Sequence, residues 1–248
     1  MTAPFAKHLL GWLLNNKKQI LVPNSADTDS DQSVALAGEV LNQLGVPAGV
    51  PTAVPGNPGP VLESLVEADI TARLAQHRSG RPWIVTRGRI VADFAQYQHL
   101  RAVDSLVKRD PAIAVTIGRD YLIKPDVTVG IADPDGGSPF LHAAISCKWT
   151  IRSDRVQNIR HEFNQMIRHR RGRQPHLVTV TAEPLPSRLQ AIARGTGEVD
   201  AVYHIAYDAL AAAVQNVGNQ TQQAAWDECI QQGRVLNYAA LVPTLITW

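Results

Sequence analysis

The stretch from Phe140 to Arg155 constrains this chain more than any other. Residues 140–147 form a largely apolar run whose length and composition predict a sheet strand. Directly after it come Lys148-Trp149-Thr150-Ile151-Arg152-Ser153-Asp154-Arg155. Val156, Ile159, Phe163, Met166 and Ile167 then recur at helical spacing, which predicts an amphipathic helix over Asp154–Arg171 closed by Gly172. A β-branched apolar run, His176–Thr181, follows and predicts a further strand. Strand, helix and strand in succession imply an α/β fold with a central mixed sheet flanked by helices. Side chains two apart on a strand share a face, so Ser146 and Lys148 point together while Cys147 points back into the sheet.

The rest of the chain fits this reading. The pattern predicts a short helix over Phe5–Leu14, a strand or buried turn at Ile20–Val22, and a helix over Gln32–Leu44 capped by Ser30 or Asp31. Asp27, Asp29 and Asp31 alternate like the start of a calcium loop. No glycine follows at its sixth position and no glutamate at its twelfth, so turn and capping chemistry is the reading there. A Gly- and Pro-rich loop over Gly45–Pro60 precedes a helix at Val61–His77. A strand at Trp83–Thr86 and a helix at Asp93–Lys108 come next, the latter with Phe94, Tyr97, Leu100, Leu106 and Val107 as core. Tyr121–Ile131 reads as a strand broken near Pro125, and Asp133–Gly137 as a tight turn. Val199–Ile205 reads as a strand, and the tail from Tyr207 to about Gln232 as largely helical.

At 248 residues the chain is long enough for one domain with a sizeable core. A net charge of +2 does not by itself point to nucleic acid. The charge is uneven, however: Arg168, Arg170, Arg171 and Arg173 stand together and suit a phosphate backbone, or simply a solvated helix end. Two cysteines give neither a disulfide framework nor zinc spacing, which fits a reducing, cytoplasmic setting. No run approaches a membrane span, and the N-terminus does not follow a signal-peptide pattern.

Pro125-Asp126, followed by a strand ending in Lys148, has the spacing of the PD-(D/E)xK nuclease core. The runs SCKWTIRSDRVQN, GRQPHLVTVTAEPLPSR and GTGEVDAVYHIA resemble the NgoMIV restriction endonuclease family, whose members cut double-stranded DNA at sites with a CCGG core. The resemblance is dense over residues 119–206, the expected catalytic core of a single restriction-endonuclease domain spanning residues 1–248.

That resemblance implies a type II restriction enzyme dependent on Mg2+, with two ions per active site. Asp126 is the first expected metal ligand, and Lys148 the cation that stabilises the transition state or orients the attacking water. Ser146 stands where most such nucleases carry an acid. The family places its displaced acid at the spacing of Glu162. The Cys147 main-chain carbonyl is a further expected ligand, with Glu162 and Glu63 reaching the ions through water. Glu67, one turn beyond Glu63, is the competing acid, and helix-dipole complementarity is the plain alternative for Glu63.

Arginine pairs with guanine and aspartate accepts from cytosine N4, so Arg152, Asp154 and Arg155 suit adjacent G·C pairs, with N-capping by Ser153 or Asp154 as the plain alternative. By resemblance, Arg188 and Asp27 read the outer pair, giving GCCGGC, and Asn57 reaches the minor groove. Cleavage falls 5′ of the first C of CCGG and leaves four-base 5′ overhangs. Lys148 follows Asp126 by only twenty-two positions, where by resemblance the family carries a longer, tetramer-forming insertion. The expected assembly is a homodimer on one palindrome, in a bacterial cytoplasm that also holds a protecting methyltransferase. A CCGG cutter with other outer pairs, a repair-type nuclease and a non-cleaving DNA-binding protein are the alternatives.

Overall fold

The computed structural model describes residues 2–15, 19–77, 80–118, 121–195 and 197–247. Arg119 and Thr196, at and within the expected core, lie outside them. In chain order the elements are α1 (Ala6–Leu9), β1 (Trp12–Asn15), β2 (Ile20–Pro23), α2 (Asp31–Gln43), α3 (Pro58–Gln76), β3 (Trp83–Arg87), α4 (His99–Arg109) and α5 (Pro111–Ile117). Then follow β4 (Val127–Ile131), β5 (Phe140–Lys148), α6 (Ser153–His169), β6 (His176–Thr181), α7 (Pro186–Ala193) and β7 (Ala201–His204). The chain ends with α8 (Tyr207–Val217), α9 (Gln220–Gln231), β8 (Val235–Asn237) and α10 (Leu241–Thr247).

Among the described residues β3 to β8 form one six-stranded sheet in sequential order. The first three strands pair antiparallel, and β5 to β8 pair parallel. The sheet is therefore mixed, as the alternation of strands and helices implies. β5 is buried along nearly its whole length, which is why it reads as a continuous apolar run. Helix α3 packs across β3, β4 and β5, α7 against β7, and α8 and α9 against β8. Apolar core residues run contiguously from Ala3 to Leu245. No helix among the described residues is long and apolar enough to cross a membrane.

The register places Lys148, Thr181 and His204 side by side at the carboxyl ends of the parallel strands β5, β6 and β7. Loops leaving that edge of an open α/β sheet are where such folds build their sites.

Several elements depart from the sequence reading. The expected Phe5–Leu14 helix ends at Leu9, and Trp12–Asn15 pairs with β2 instead. A Cβ on Gly11 would lie 2.6 Å from Thr52 Cβ, so the Thr52–Val54 segment packs against the chain where only glycine fits. The expected Asp93–Lys108 helix begins only at His99, after two 3-10 turns. Here Ala95 N donates to Pro139 O, and the buried Gln96 side chain bonds the main chain of Leu141. Tertiary bonds take the place of helical ones. Leu106, expected in the core, is 53% exposed. The strand expected from Tyr121 starts at Val127, because Pro125 lacks a donor and Ile123 O accepts from Val91 N outside the sheet. The helical tail is split near Gly218, where Asn219 caps α9, and β8 adds a strand the sequence reading lacks.

Candidate active site

The site is built where β4 begins and β5 ends. The antiparallel pairing of these strands reaches Val127 with Ile145. Beyond it the Asp126 carboxylate takes one main-chain and two side-chain donors of β5. Its Oδ2 accepts from Cys147 N at 2.7 Å, from Lys148 Nζ at 2.7 Å and, more weakly, from Ser146 Oγ at 3.4 Å. Ser146 and Lys148 thus share one face, as the alternation requires. The Cys147 side chain is buried, and that burial pushes its thiol well above the usual range. All three donors fall on Oδ2, so Oδ1 is the oxygen a cation could take.

Glu63, on α3, lines a cleft of about 400 Å³ with Arg87, Gly88, Lys124, Pro125 and Asp126. Burial raises its carboxyl above the ordinary value and the Asp126 charge adds to the rise, with Lys148 and Arg87 opposing. Glu162, on α6, is raised by burial first, then held down by Lys148 and pushed up by Asp126. The two glutamates therefore feel the same ion pair from two helices. Glu67 is engaged by Arg87: its carboxylate accepts from Arg87 N at 3.1 Å and Nε at 3.0 Å.

A divalent cation would relieve the mutual repulsion of these carboxylates, and hard oxygen donors suit magnesium. Among the described residues no three His, Cys, Asp or Glu side chains converge closely enough to hold an ion by themselves. Asp126 is the hard oxygen donor a cation would meet here, and Glu63 and Glu162 add negative charge near it.

Residues 149–151 carry the chain from Lys148 to α6 and are clamped on both sides. Trp149 Nε1 donates to Asn24 O at 3.1 Å, and Trp149 O accepts from Ala182 N at 3.1 Å. Ile151 N donates to Glu183 Oε2 at 2.6 Å. Arg152 is the N-cap of α6, and no side chain caps the helix, so the capping alternative for Ser153 and Asp154 is not what the structure shows. Arg152 and Asp154 are exposed, and Arg155 is half-buried, with Nη1 donating to Thr150 O at 2.6 Å.

A depression of about 490 Å³ brings Arg152 and Ser153 together with Asp27, Asp29, Ser187 and Arg188. Arg188 Nη2 bonds Asp27 Oδ2, and that bond is the main reason the Asp27 carboxyl sits below its ordinary value. Ser30 Oγ caps α2 by accepting from Ser33 N, as expected. Residues 120 positions apart or more in sequence thus meet on one face. Asn57 stands exposed at the N-cap of α3 and makes no side-chain cap bond. The sequence reading missed Glu183 and Trp149. Their only signal is an acid and an indole at the ends of neighbouring apolar strands.

The family model described as NgoMIV restriction enzyme matches residues 6–135 and 130–243. The two segments meet at the turn between β4 and β5. A type II restriction enzyme NgoMIV from Neisseria gonorrhoeae is 37% identical over 238 residues, covering 82% of each chain. The crystal structure of the pre-specific restriction endonuclease BsaWI–DNA complex superposes with a TM-score of 0.36 at 14% identity, covering 86% of this chain and 73% of that one.

Proposed function

This chain belongs to the NgoMIV restriction enzyme family and is a type II site-specific deoxyribonuclease, and we propose that it makes Mg2+-dependent double-strand cuts at palindromes with a CCGG core, GCCGGC by preference. Each strand is cut 5′ of the first C of CCGG, leaving four-base 5′ overhangs. The observation that carries the reading is the Lys148 Nζ–Asp126 Oδ2 pair at 2.7 Å, at the sheet edge from which α6 departs.

Asp126 and the Cys147 carbonyl would hold the ions, two in number, with Glu162 and Glu63 reaching them through water. Bound there, magnesium supplies charge neutralisation at the phosphate and help for the leaving oxygen. Lys148 stabilises the negative charge that builds at phosphorus, from a position fixed by Asp126. Ser146 leaves the lysine face neutral where relatives of the superfamily carry an acid, so the charge of Glu162 stands in from α6.

Arg152, Asp154 and Arg155 read the two inner G·C pairs, and Arg188 with Asp27 reads the outer one. Asn57, on an exposed loop, reaches the minor groove. Two copies of one domain, related by a twofold axis, make the half-sites palindromic. The setting is a bacterial cytoplasm with a methyltransferase that protects the host sites.

Digestion of a sequenced plasmid with and without magnesium, beside Asp126→Ala, tests this. The expected result is discrete magnesium-dependent fragments ending at CCGG-containing sites, absent in the variant. Binding without cutting would show a DNA-binding protein, and ragged ends at unrelated sequences would remove the base-reading roles of Arg152, Asp154 and Arg155.

A further inference from the structure

We infer that Glu183 is a positioning residue for sequence reading: its buried carboxylate ties the residues that read the inner base pairs to those that read the outer pair. The inference rests on the base-reading roles proposed above for Arg152 and Arg188.

Glu183 follows β6 by two residues and is fully buried, at 0% exposure. Its two oxygens reach in two directions. Oε2 accepts from Ile151 N at 2.6 Å, one residue before Arg152. Oε1 accepts from Leu185 N at 3.1 Å, at the N-cap of the helix that carries Arg188. Arg188 Nη1 lies 3.8 Å from Oε2, while its Nη2 bonds Asp27. One carboxylate therefore touches the entry to α6, the entry to α7, and the arginine itself.

The main chain of Glu183 is equally fixed. Glu183 N donates to Thr181 Oγ1 at 3.1 Å. Glu183 O lies 3.2 Å from His204 Nε2, and His204 Nδ1 accepts from Ala206 N at 3.1 Å. An accepting Nδ1 leaves the proton on Nε2, so His204 donates to the carbonyl. Burial holds His204 neutral, with its value pulled down to about 4. The hinge from which the carboxylate reaches is thus pinned to β6 and β7.

An acid here is costly to bury. Burial pushes the Glu183 carboxyl up to about 7, against the pull of Ile151 N, Arg188 and Leu185 N. A residue serving only packing would be apolar, since buried ion pairs seldom stabilise relative to apolar replacements. Two main-chain donors and a guanidinium that must hold their places toward a base edge give the charge a use.

The test compares single-turnover cleavage of a full site with that of a site changed only in its outer pair, for wild type and Glu183→Gln. Glutamine keeps one acceptor oxygen but presents an amide donor to the other N–H and removes the charge facing Arg188. The expected result is a discrimination ratio at the outer pair reduced roughly tenfold or more, with weaker binding of the full site. Glu183→Asp, which keeps the charge on a shorter arm, regains part of the ratio. A Glu183→Gln variant with the wild-type ratio and only a lowered melting temperature would overturn the inference. Should that variant not fold, Glu183→Asp carries the test: a reduced ratio supports the inference and an unchanged one overturns it. A wild type that cuts no CCGG-containing site would fail the proposed function itself, an outcome read before any variant is compared.

Discussion

Lys148 Nζ and Asp126 Oδ2 lie 2.7 Å apart, and the same oxygen accepts from the main chain of Cys147. The lysine is therefore held by an aspartate that is itself held by the strand bearing the lysine. Removing either partner should damage chemistry more than binding. Lys148→Ala is expected to lower the single-turnover cleavage rate by about a hundredfold or more. Affinity for the site, measured by gel shift in calcium, should change by less than about tenfold, because the residues proposed to read bases are separate. Equal losses in both would place Lys148 in DNA binding instead.

Glu63 and Glu67 make a second, sharper comparison. Glu63 faces the Asp126 charge within the cleft, whereas Glu67 is committed to Arg87. Glu63→Gln is expected to raise the magnesium concentration giving half-maximal cleavage about tenfold or more. Glu67→Gln should move it little. Glu162→Gln should behave as Glu63→Gln does. The opposite ranking of the two α3 glutamates would exchange their roles.

How much of this was legible follows from range along the chain. Asp126, Ser146, Cys147 and Lys148 are fixed by local rules: a proline-aspartate pair ahead of a strand, and side-chain alternation along the next one. The helix after them shows in the spacing of Val156, Ile159, Phe163 and Met166. The capping of α6 was not legible, because Ser153 and Asp154 suit a cap equally well and the structure uses neither. The irregular segment around Phe94 was misread for a related reason: Gln96 spends its side chain on Leu141, a contact forty-five residues away. Glu183 had no local signature, since its partners are Ile151, on the loop before α6, and Arg188, on α7.

The outer pair should respond to Arg188 and Asp27 as a unit. Each is the other's nearest charge partner, so loss of one removes the main counter-charge of a partly buried group. Arg188→Gln and Asp27→Asn are each expected to relax discrimination at the outer pair by about tenfold or more, and the double variant by less than the product. Cleavage rates on the outer-pair variants of a CCGG site check this. Simple multiplication of the two effects would mean that they act independently.

The Glu183 carboxyl gives stability a definite dependence on pH. Its folded value, about 7, lies above the ordinary 4.5 of the unfolded chain. Between these values the folded state keeps the proton that the unfolded state has released, so the unfolded state binds fewer protons and stability falls as pH rises. This contribution is complete below about 4.5 and lost once pH has passed through about 7. Asp27, displaced downward by Arg188, acts below this window. Wild type should therefore lose stability relative to Glu183→Gln between pH 5 and pH 8, as read by denaturant midpoints at each pH. A flat difference would mean that the carboxylate ionises at its ordinary value in the folded protein.

The turn between β4 and β5 bears on assembly. Asp133 closes it, accepting from Gly136 N through its carbonyl at 3.1 Å and from Asp135 N through Oδ1 at 3.0 Å. The family's match divides into two segments at this turn, which overlap over residues 130–135. If this short turn stands where the family carries a tetramer-forming insertion, as the sequence resemblance implies, the chain should stop at the dimer proposed for a palindromic site. Sedimentation is expected to give a dimer both free and on a single-site duplex. Plasmids with one site and with two should be cut at equal rates per site. A stable tetramer, or a one-site plasmid cut only when a second site is supplied in trans, would show that contacts other than this turn join the dimers.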